Sequence, residues 1–532
     1  MVLKCESGTR EGKPQVEQYG LDALAASAEA VVPGLGPLAA GLAGLAGQAC
    51  RAVTLDAMEG LVVEQGRKLL LGLVQLALDA QAGREVRLPR VTGEDGVPRA
   101  RAERGHARPV VTRLGEVVVR RIGYRSGVKG AGSLFPRDAV LNLPPCGYSW
   151  GLQQLAEMFC RSGSYAQAHE FVLAATGVSV GKRQLEQIIA AAAADAERFY
   201  QDRLRDQAAA VPAAGEQGQG LPPLAISADG KGVAMRPEAR RCRAKAPEQR
   251  VRTFGKRTGT GEKKGHKRMA ETGCVFDVIP PEQPRTPEQV MGPGPGRATD
   301  RPRAENRWYA CDITAGRDVT IGKVFDEADR RDPDHARTWI ALIDGDNHQL
   351  GLFRAAAAAR GITLAIVIDF IHVLEYLWKA AWCFHAPRDP AAEDWVIAQA
   401  LDILHGRAAE VIARIARLAA DHPPSPGSEH AKNIRKTLSY LQNKQPYMDY
   451  PAALAAGWPI ATGVIEGACR HLVQDRMGIT GARWSLHGAQ AMLWLRAINA
   501  SGDTSAYWDY HITQEHQRNH LSRYHDSLGL AA

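Results

Sequence analysis

Several common signatures are missing from this chain of 532 residues, and each absence excludes a class of protein. Its nine cysteines form no Cys-x-x-Cys pair and no regular spacing, which argues against a zinc ribbon and a disulfide framework. The uncharged Gly/Ala-rich segment 35–50 is too short and too weakly apolar to span a bilayer. The first residues, MVLKCESGTREGK, are polar and do not form a cleavable signal. We therefore expect a cytoplasmic protein with reduced thiols and no membrane partner.

Two catalytic signatures are also missing. The segment GTGEKKGHK at 259–267 only mimics a phosphate-binding loop, because no Gly-Lys-Ser/Thr follows at the required spacing. The chain has no nucleophile elbow and no Cys/His signature of covalent catalysis. We expect no nucleotide cofactor and no covalent protein nucleophile.

Positive charge is present and unevenly distributed. The net charge is +8 with a pI of about 9.0, and Lys and Arg concentrate in the runs 236–268 and 99–129. Clustered cations without an amphipathic anchor favour the phosphate backbone of nucleic acid over an anionic membrane. For the run 236–268, a solvated disordered loop is the alternative.

The first two hundred residues contain predicted helical segments and one predicted β-hairpin. Residues 1–105 contain one convincing helix, about Val53 to Gln81, and their role is open. Residues 108–125 alternate in the manner of a β-hairpin with arginines on its outer face, which is compatible with DNA binding or with ordinary edge strands.

Three helical segments between Tyr148 and Tyr200 have the arrangement of a helix-turn-helix. Ser164 and Ser179 are the expected N-caps of the second and third segments, and Gly177 follows the second after its last turn. A trihelical packing unit without a DNA role is the alternative. Side chains of the types that contact bases and phosphates would lie near the start of the third helix: Lys182, Arg183, Gln184 and Gln187.

The segment Thr338 to Trp378 reads as strand, helix, strand, helix, and both apolar strands end on an acid, Asp344 and Asp369. A parallel sheet would place these acids at its carboxyl edge, where open α/β sheets bind ligands. Asp346 follows the flexible Gly345 and is expected to serve as a turn residue or as a cap for the helix that begins near Gln349.

Upstream, LAISADGKGVAM is predicted as a strand ending on Asp229, a Gly turn and a second short strand. The stretches GCVFDVI, RWYACDI and DVTIGKVF are predicted to be extended, and residues 391–445 to be helical. Early antiparallel strands followed by alternating helix and parallel strand is the order of a ribonuclease-H-like fold with an all-α insertion. The alternative is a doubly wound nucleotide-binding domain, which lacks its usual glycine-rich motif.

A third acid, Glu466, lies in the first turns of a helix that Thr462 is expected to cap, with Arg470, His471 and Arg476 following. Mg²⁺ binds one or two carboxylates and completes its coordination with water and phosphate oxygens. The set Asp229, Asp344 and Glu466 could therefore hold two Mg²⁺ or Mn²⁺ ions for in-line displacement at phosphorus.

These residues stand in motifs that resemble the DDE transposases of bacterial insertion sequences, specifically the group named after the Kra elements. The matching motifs are ISADGKGV, RDPDHARTWIALIDGDNHQL, IDFIHVLEYLW, LQNKQPYMDYPAALAAGWPIATGVIEGACRHLVQDRM and GARWSLHGAQAMLWLRA, within about 100–510. The resemblance implies Asp229, Asp344 and Glu466 as the catalytic metal ligands and strand cleavage and transfer of the encoding element. It also implies that Asp369 and His372 lie beside the active site, as an acid/Cys-x-x-His motif does in Mutator-like relatives.

Three of these residues have a structural alternative: Asp369 as a helix cap, His372 as a hydrogen-bonded core residue, and Trp484 as packed core instead of a platform for an unpaired base.

The partners implied are terminal inverted repeats and target DNA, with a homodimer or larger oligomer in a nucleoid-associated synapse. A DNA-binding regulator that has lost the chemistry is the alternative function. The expected divisions are 1–105 (helical), 106–205 (DNA-binding), 221–386 (core, first part), 387–455 (insertion), 456–510 (core, second part) and 511–532 (tail).

Overall fold

The computed structural model describes residues 54–209, 220–240, 266–292 and 301–525. Outside the described residues lie 1–53 of the expected helical region, 526–532 of the expected tail, most of the Pro/Gly/Gln-rich stretch 211–223, which predicts a domain boundary, and 241–265 of the basic run. The described chain is α/β, as predicted, and divides into two compact units. The first unit contains residues up to 159 together with 166–182 and 512–525, and the second contains 160–165 and 183–511.

The first unit combines a long helix with a β-hairpin. Helix α1 (Leu55–Gly83) lies close to its predicted position, and the side chain of Gln75 accepts from Val118 N (2.8 Å) and donates to Val118 O (3.0 Å). The predicted hairpin is present, although Arg108 and Arg121 are turned to Asp138. The other elements of this part of the chain are β1 (Val91–Thr92), β2 (Pro98–Arg99), β3 (Arg101–Thr112), β4 (Gly115–Arg125) and α2 (Pro136–Val140).

The three predicted helical segments are helical, but the third begins later than predicted and is interrupted at 193–195. Five residues, 177–181, separate the second helix from the third, so Ser179 does not cap the third helix, which begins at Lys182. Val180 is fully buried and its carbonyl lies 2.8 Å from Nδ1 of His169, which fixes this stretch in the loop. The helices are α3 (Trp150–Ser162), α4 (Tyr165–Thr176), α5 (Lys182–Ala192) and α6 (Ala196–Ala209).

A five-stranded mixed sheet forms the centre of the second unit, in the order β7-β6-β5-β8-β9. The first three strands along the chain pair antiparallel, and β8 and β9 continue the sheet parallel to β5. The strands are β5 (Leu224–Ala234), β6 (Lys267–Ile279), β7 (Arg303–Asp312), β8 (Trp339–Ile343) and β9 (Leu364–Ile368).

Two sequence predictions in this unit are wrong. LAISADGKGVAM does not turn at its glycines but continues as the single strand β5, because β6 pairs with it along its whole length. DVTIGKVF is helical and belongs to α8 (Arg317–Arg331). Its β-branched residues favour a strand, but Ile321, Val324 and Ala328 are buried at helical spacing, and this packing overrides the local preference.

Residues 391–445 are helical, as predicted. A π-helical turn, Cys469–Gln474, follows the helix that carries Glu466. No helix in the described ranges has both the length and the apolarity needed to cross a membrane. The remaining helices are α7 (Pro287–Met291), α9 (Asn347–Arg360), α10 (Phe370–Phe384), α11 (Pro390–Leu404), α12 (Ala408–Asp421), α13 (Glu429–Lys444), α14 (Tyr450–Ala455), α15 (Gly463–Ala468), α16 (Asp475–Met477), α17 (Leu486–Ala500) and α18 (Thr504–Asn519).

The contact between β6 and α8 predicts the effect of one substitution. A Cβ added at Gly273 would lie 2.3 Å from Cγ2 of Val324, so Gly273→Ala should lower the free energy of unfolding by about 1–3 kcal/mol. Gly322→Ala is the matched control, because a Cβ at Gly322 meets no atom within 4 Å and alanine favours the helix by roughly 1 kcal/mol. Urea unfolding of both variants tests this difference, and equal midpoints would contradict the packing described.

Candidate active site at the sheet edge

Three acids stand side by side at the carboxyl edge of the sheet. Strands β5 and β8 are paired up to Ser227 and Leu342, and β8 and β9 are paired up to Ile343 and Ile368. On each of the three strands, one acid lies one or two residues after the last of these paired residues. Because the three strands are parallel and neighbouring strands are about 4.8 Å apart, the acids share one edge. They are Asp229, Asp344 and Asp369.

Asp369 is fully buried and accepts four hydrogen bonds. Its Oδ1 accepts from Ile371 N (3.1 Å) and Thr462 N (3.3 Å). Its Oδ2 accepts from Nδ1 of His372 (2.6 Å) and Oγ1 of Thr462 (2.9 Å). Asp369 is therefore the N-cap of α10, as one sequence interpretation held, and it also fixes the segment that leads to Glu466.

Glu466 reaches this group through Thr462. Thr462 is the N-cap residue of α15, but its side chain makes no cap hydrogen bond; its Oγ1 lies 2.9 Å from Oε1 of Glu466. A hydroxyl has one proton, so Thr462 can donate to Glu466 or to Asp369 at any moment, but not to both. One ligand atom from each of Asp369, His372 and Glu466 lies within 4.8 Å of the others. Asp229 and Asp344 are not members of this group.

His372 carries a positive charge at neutral pH. The hydrogen bond to Asp369 raises its pKa to about 9, and the negative charges of Asp369 and Asp344 add to this effect against the opposing influence of burial. The imidazolium therefore neutralises the buried carboxylate next to it.

Most other acids at this edge also have a cationic partner. Arg317 lies 3.0 Å from Glu271 on β6 and 3.3 Å from Asp346 in the loop after β8. In the described part of the chain, three acids at the edge have no ion pair within 4 Å. These are the three predicted metal ligands, Asp229, Asp344 and Glu466.

The loop after β8 holds Asp344 in place. Its Oδ1 accepts from Asp346 N (2.9 Å), and within the described residues its Oδ2 has no hydrogen-bond partner. The hydroxyl of Tyr440 on α13 donates to the carbonyl of Asp344 (3.0 Å). Gly345 has φ +91°, and a Cβ there would lie 2.9 Å from the Tyr440 hydroxyl, so only glycine suits this position.

Asp346 and Asp229 have different surroundings. Asp346 is the N-cap of α9 and accepts from Gln349 N (2.8 Å), which is one of the roles predicted for it.

Asp229 is half-buried, its Oδ1 accepts from Gly230 N (2.6 Å), and its side chain contacts the buried thiol of Cys469. Burial, and then the charge of Asp229, raise the pKa of that thiol, which stays protonated and can donate to the carboxylate.

The residues predicted to contact DNA fall into two groups. Arg470 is 79% exposed on its side chain, and five other residues are also exposed. Arg476 and Trp484 are only 2% and 6% exposed, which favours the packed-core alternative for Trp484, while contact of either residue with DNA stays a prediction. Nε of Arg476 donates to Cys160 O (2.7 Å), and Nε1 of Trp484 donates to Met477 O (3.1 Å). The exposed residues besides Arg470 are Lys182, Arg183, Gln184, Gln187 and His471.

Sequence reasoning missed several residues that shape the site. The ties made by Thr462 and Tyr440 join positions 93 and 96 residues apart, and no local pattern indicates such pairs. Arg496 on α17 donates to the carbonyls of Leu472 (2.8 Å) and His471 in the π-helical turn. A π-turn is often found at functional sites, but its sequence, CRHLVQ, has no distinguishing signal.

The chain matches no protein-family model, and no curated protein is recognisably similar to it.

The raised pKa of His372 predicts a pH-dependent contribution to stability. Because the folded-state pKa of about 9 lies above the ordinary 6.5, the stabilisation should be complete below about pH 6.5 and lost as pH rises through about 9. His372→Gln should therefore lower the free energy of unfolding much more at pH 6 than at pH 10, measured by urea unfolding in EDTA. His348→Gln, at an exposed histidine of α9, is the control. A loss for His372→Gln that is equal at both pH values would refute the charged pair.

Proposed function

We propose that this chain is a DDE-type DNA transposase that cleaves and joins DNA strands with divalent metal ions held by Asp229, Asp344 and Glu466. The observation that carries the proposal is the pattern of charge at the sheet edge. Glu271, Asp346 and Asp369 have cationic partners, whereas the three acids named by their motifs have none among the residues that the structure describes. Carboxylates left without a cation on an open edge are suited to binding one.

The fold supports the same proposal. The strand order β7-β6-β5-β8-β9, with three antiparallel strands followed by two parallel ones, is the arrangement expected of a ribonuclease-H-like core. Helices α11 to α14 stand between the last strand and the helix of Glu466, as expected of an all-α insertion.

The donor set fits Mg²⁺ or Mn²⁺, which prefer hard carboxylate oxygens and retain water or phosphate oxygens in their other positions. When bound, such ions activate the attacking oxygen and stabilise the leaving oxygen of a phosphodiester. The protein's own part is to position the acids. Asp344 is fixed through its carbonyl by Tyr440, and the hydroxyl of Thr462 holds Glu466 beside the edge until the carboxylate turns to a bound ion. Asp369 accepts from the main-chain N–H of Thr462 and so holds that residue in place.

DNA is the proposed partner, and the exposed start of α5 is the proposed element for reading it. Lys182, Arg183, Gln184 and Gln187 present cations and amides, the groups that bind phosphates and base edges. The proposed substrates are the ends of the encoding element and its target, joined by a homodimer or larger assembly of this chain. Helix-turn-helix recognition and location at the nucleoid belong to the same proposal.

One observation favours the second candidate, a DNA-binding protein without the chemistry. Glu466 groups with Asp369 and His372 and not with Asp229 and Asp344. Catalysis would require the Glu466 carboxylate to turn from Thr462 towards the other two acids when metal binds. The two experiments that follow separate the candidates.

The first experiment measures metal dependence. The full-length chain should nick a supercoiled plasmid that carries the element's ends with Mg²⁺ or Mn²⁺, should not nick it in EDTA, and should not need ATP. Asp229→Asn is the matched control, because it keeps the size of the side chain and removes its charge. Nicking in EDTA, or a strict need for ATP, would contradict the metal-dependent reaction.

The second experiment separates two neighbouring acids. Asp344→Asn should reduce strand transfer by more than the roughly 10- to 100-fold typical of changes around a metal site, because Asp344 is a proposed ligand. Asp346→Asn should retain activity within about tenfold, because asparagine replaces aspartate well as an N-cap. End binding, measured by gel shift, should be unchanged in both. If Asp344→Asn were more active than Asp346→Asn, the assignment of the metal ligand would be reversed.

A further inference from the structure

A cavity of about 360 Å³ in the second unit is lined by an unusual concentration of arginine. It lies between α5, the end of β5 and the segment before α17. Its only acid among the lining residues is Glu186, and its aromatic wall is formed by Tyr165 and Trp484. The four arginines are Arg183, Arg236, Arg476 and Arg483.

Arg476 is a buried cation without a counter-ion. It is 2% exposed, and its guanidinium lies 4.8 Å from the ring centre of Trp484 and 5.2 Å from that of Tyr165. Nε donates to a carbonyl, but Nη2 is buried and has no hydrogen-bond partner within the described ranges. No carboxylate in the described residues lies within 4 Å of this guanidinium. A buried charge of this kind is costly unless something neutralises it, and it attracts an anion to the adjoining cavity.

The other three arginines are at the mouth of the cavity and are exposed. Arg236 makes a single weak pair, 3.7 Å from the exposed Glu186. Four positive charges therefore face one negative charge. Guanidinium groups bind phosphate oxygens through two parallel hydrogen bonds, so several arginines at one mouth favour a phosphate group over a monovalent anion such as chloride.

The walls of the cavity are fixed by main-chain hydrogen bonds. Arg236 N donates to Trp484 O (2.8 Å), and Trp484 N donates to Ala234 O (3.0 Å). The same strand, β5, carries Asp229, and seven residues of extended chain from Asp229 to Arg236 span roughly 23 Å. The cavity thus lies along the strand that bears one of the proposed metal ligands.

We propose that this cavity binds a backbone phosphate of a DNA strand whose reacting phosphodiester lies at the acidic edge. The inference rests on the proposed function for the identity of the strand. Arg236 and Arg483 hold the phosphate oxygens, and Arg476 supplies positive charge from behind. The cavity is a binding site remote from the chemistry and takes no part in bond making.

The test measures binding of a fluorescent single-stranded DNA decamer to the full-length chain in EDTA, so that cleavage does not enter the readout. The double variant Arg236→Gln/Arg483→Gln should bind about tenfold more weakly, and the slope of log affinity against log salt should fall by roughly 1.4, or about 0.7 for each lost phosphate contact. The matched control is Arg354→Gln/Arg417→Gln, which removes two exposed arginines outside the cavity. An equal loss in both double variants would indicate general electrostatic attraction and overturn the site.

Two further measurements refine the outcome. Arg476→Lys keeps the buried charge and should bind more tightly than Arg476→Met; equal binding by the two would overturn the role of Arg476. The dinucleotide pTpT should displace the decamer at a much lower concentration than inorganic phosphate, and equal potency would overturn recognition of a strand in favour of free phosphate. Binding as proposed without metal-dependent nicking would support the cavity and refute the enzyme. Metal-dependent nicking by the unaltered chain, together with unchanged decamer binding in Arg236→Gln/Arg483→Gln, would support the enzyme and refute the cavity.

Discussion

The buried carboxylate of Asp369 is the constraint on which the acidic edge depends. It accepts hydrogen bonds from the start of α10 and from Thr462, 93 residues further along the chain. A buried carboxylate that lost these donors would carry an unpaired charge, which costs several kcal/mol. The chain must therefore bring Thr462 back to the end of β9 after the intervening helices. Glu466, one helical turn beyond Thr462, is placed near the sheet edge as a consequence.

The helices between β9 and α15 do more than connect these elements. Tyr440 on α13 stacks on Tyr376 of α10 with ring centres 3.9 Å apart and donates to the carbonyl of Asp344. The nearby Lys444 donates to Asn347 in the first turn of α9. The predicted insertion thus contacts the loop that carries Asp344 and Asp346 and restricts its motion. Its packing explains why Gly345, with no side chain, occupies the point of closest approach.

Much of this arrangement could be predicted from sequence, because local patterns determine it. Apolar runs that end on Asp344 and Asp369 predict two strands and their carboxyl ends, although the edge strand β9 is only partly buried, and the position of Asp346 after Gly345 predicts a turn or cap residue. Contacts over long range could not be predicted. The helical packing of DVTIGKVF against β6, the burial of Arg476 between two rings and the tie from Thr462 to Asp369 each depend on residues distant in sequence. Trp484 has a side chain of the type that stacks on unpaired bases, and only its burial shows that it belongs to the core.

Two sites in the described part of the second unit contain charges without a partner, and their signs are opposite. At the sheet edge Asp229, Asp344 and Glu466 lack cations, and beyond the end of β5 Arg476 lacks an anion. Folding alone favours neither, because an unpaired or crowded charge lowers stability while a paired one does not. The proposed DNA strand, lying along β5, would account for both features. Its phosphates would meet the arginines directly, whereas at the edge they would meet carboxylates and could approach only with divalent cations between them. On this reasoning the proposed metal ions would be required for DNA to approach the edge as well as for the proposed reaction there.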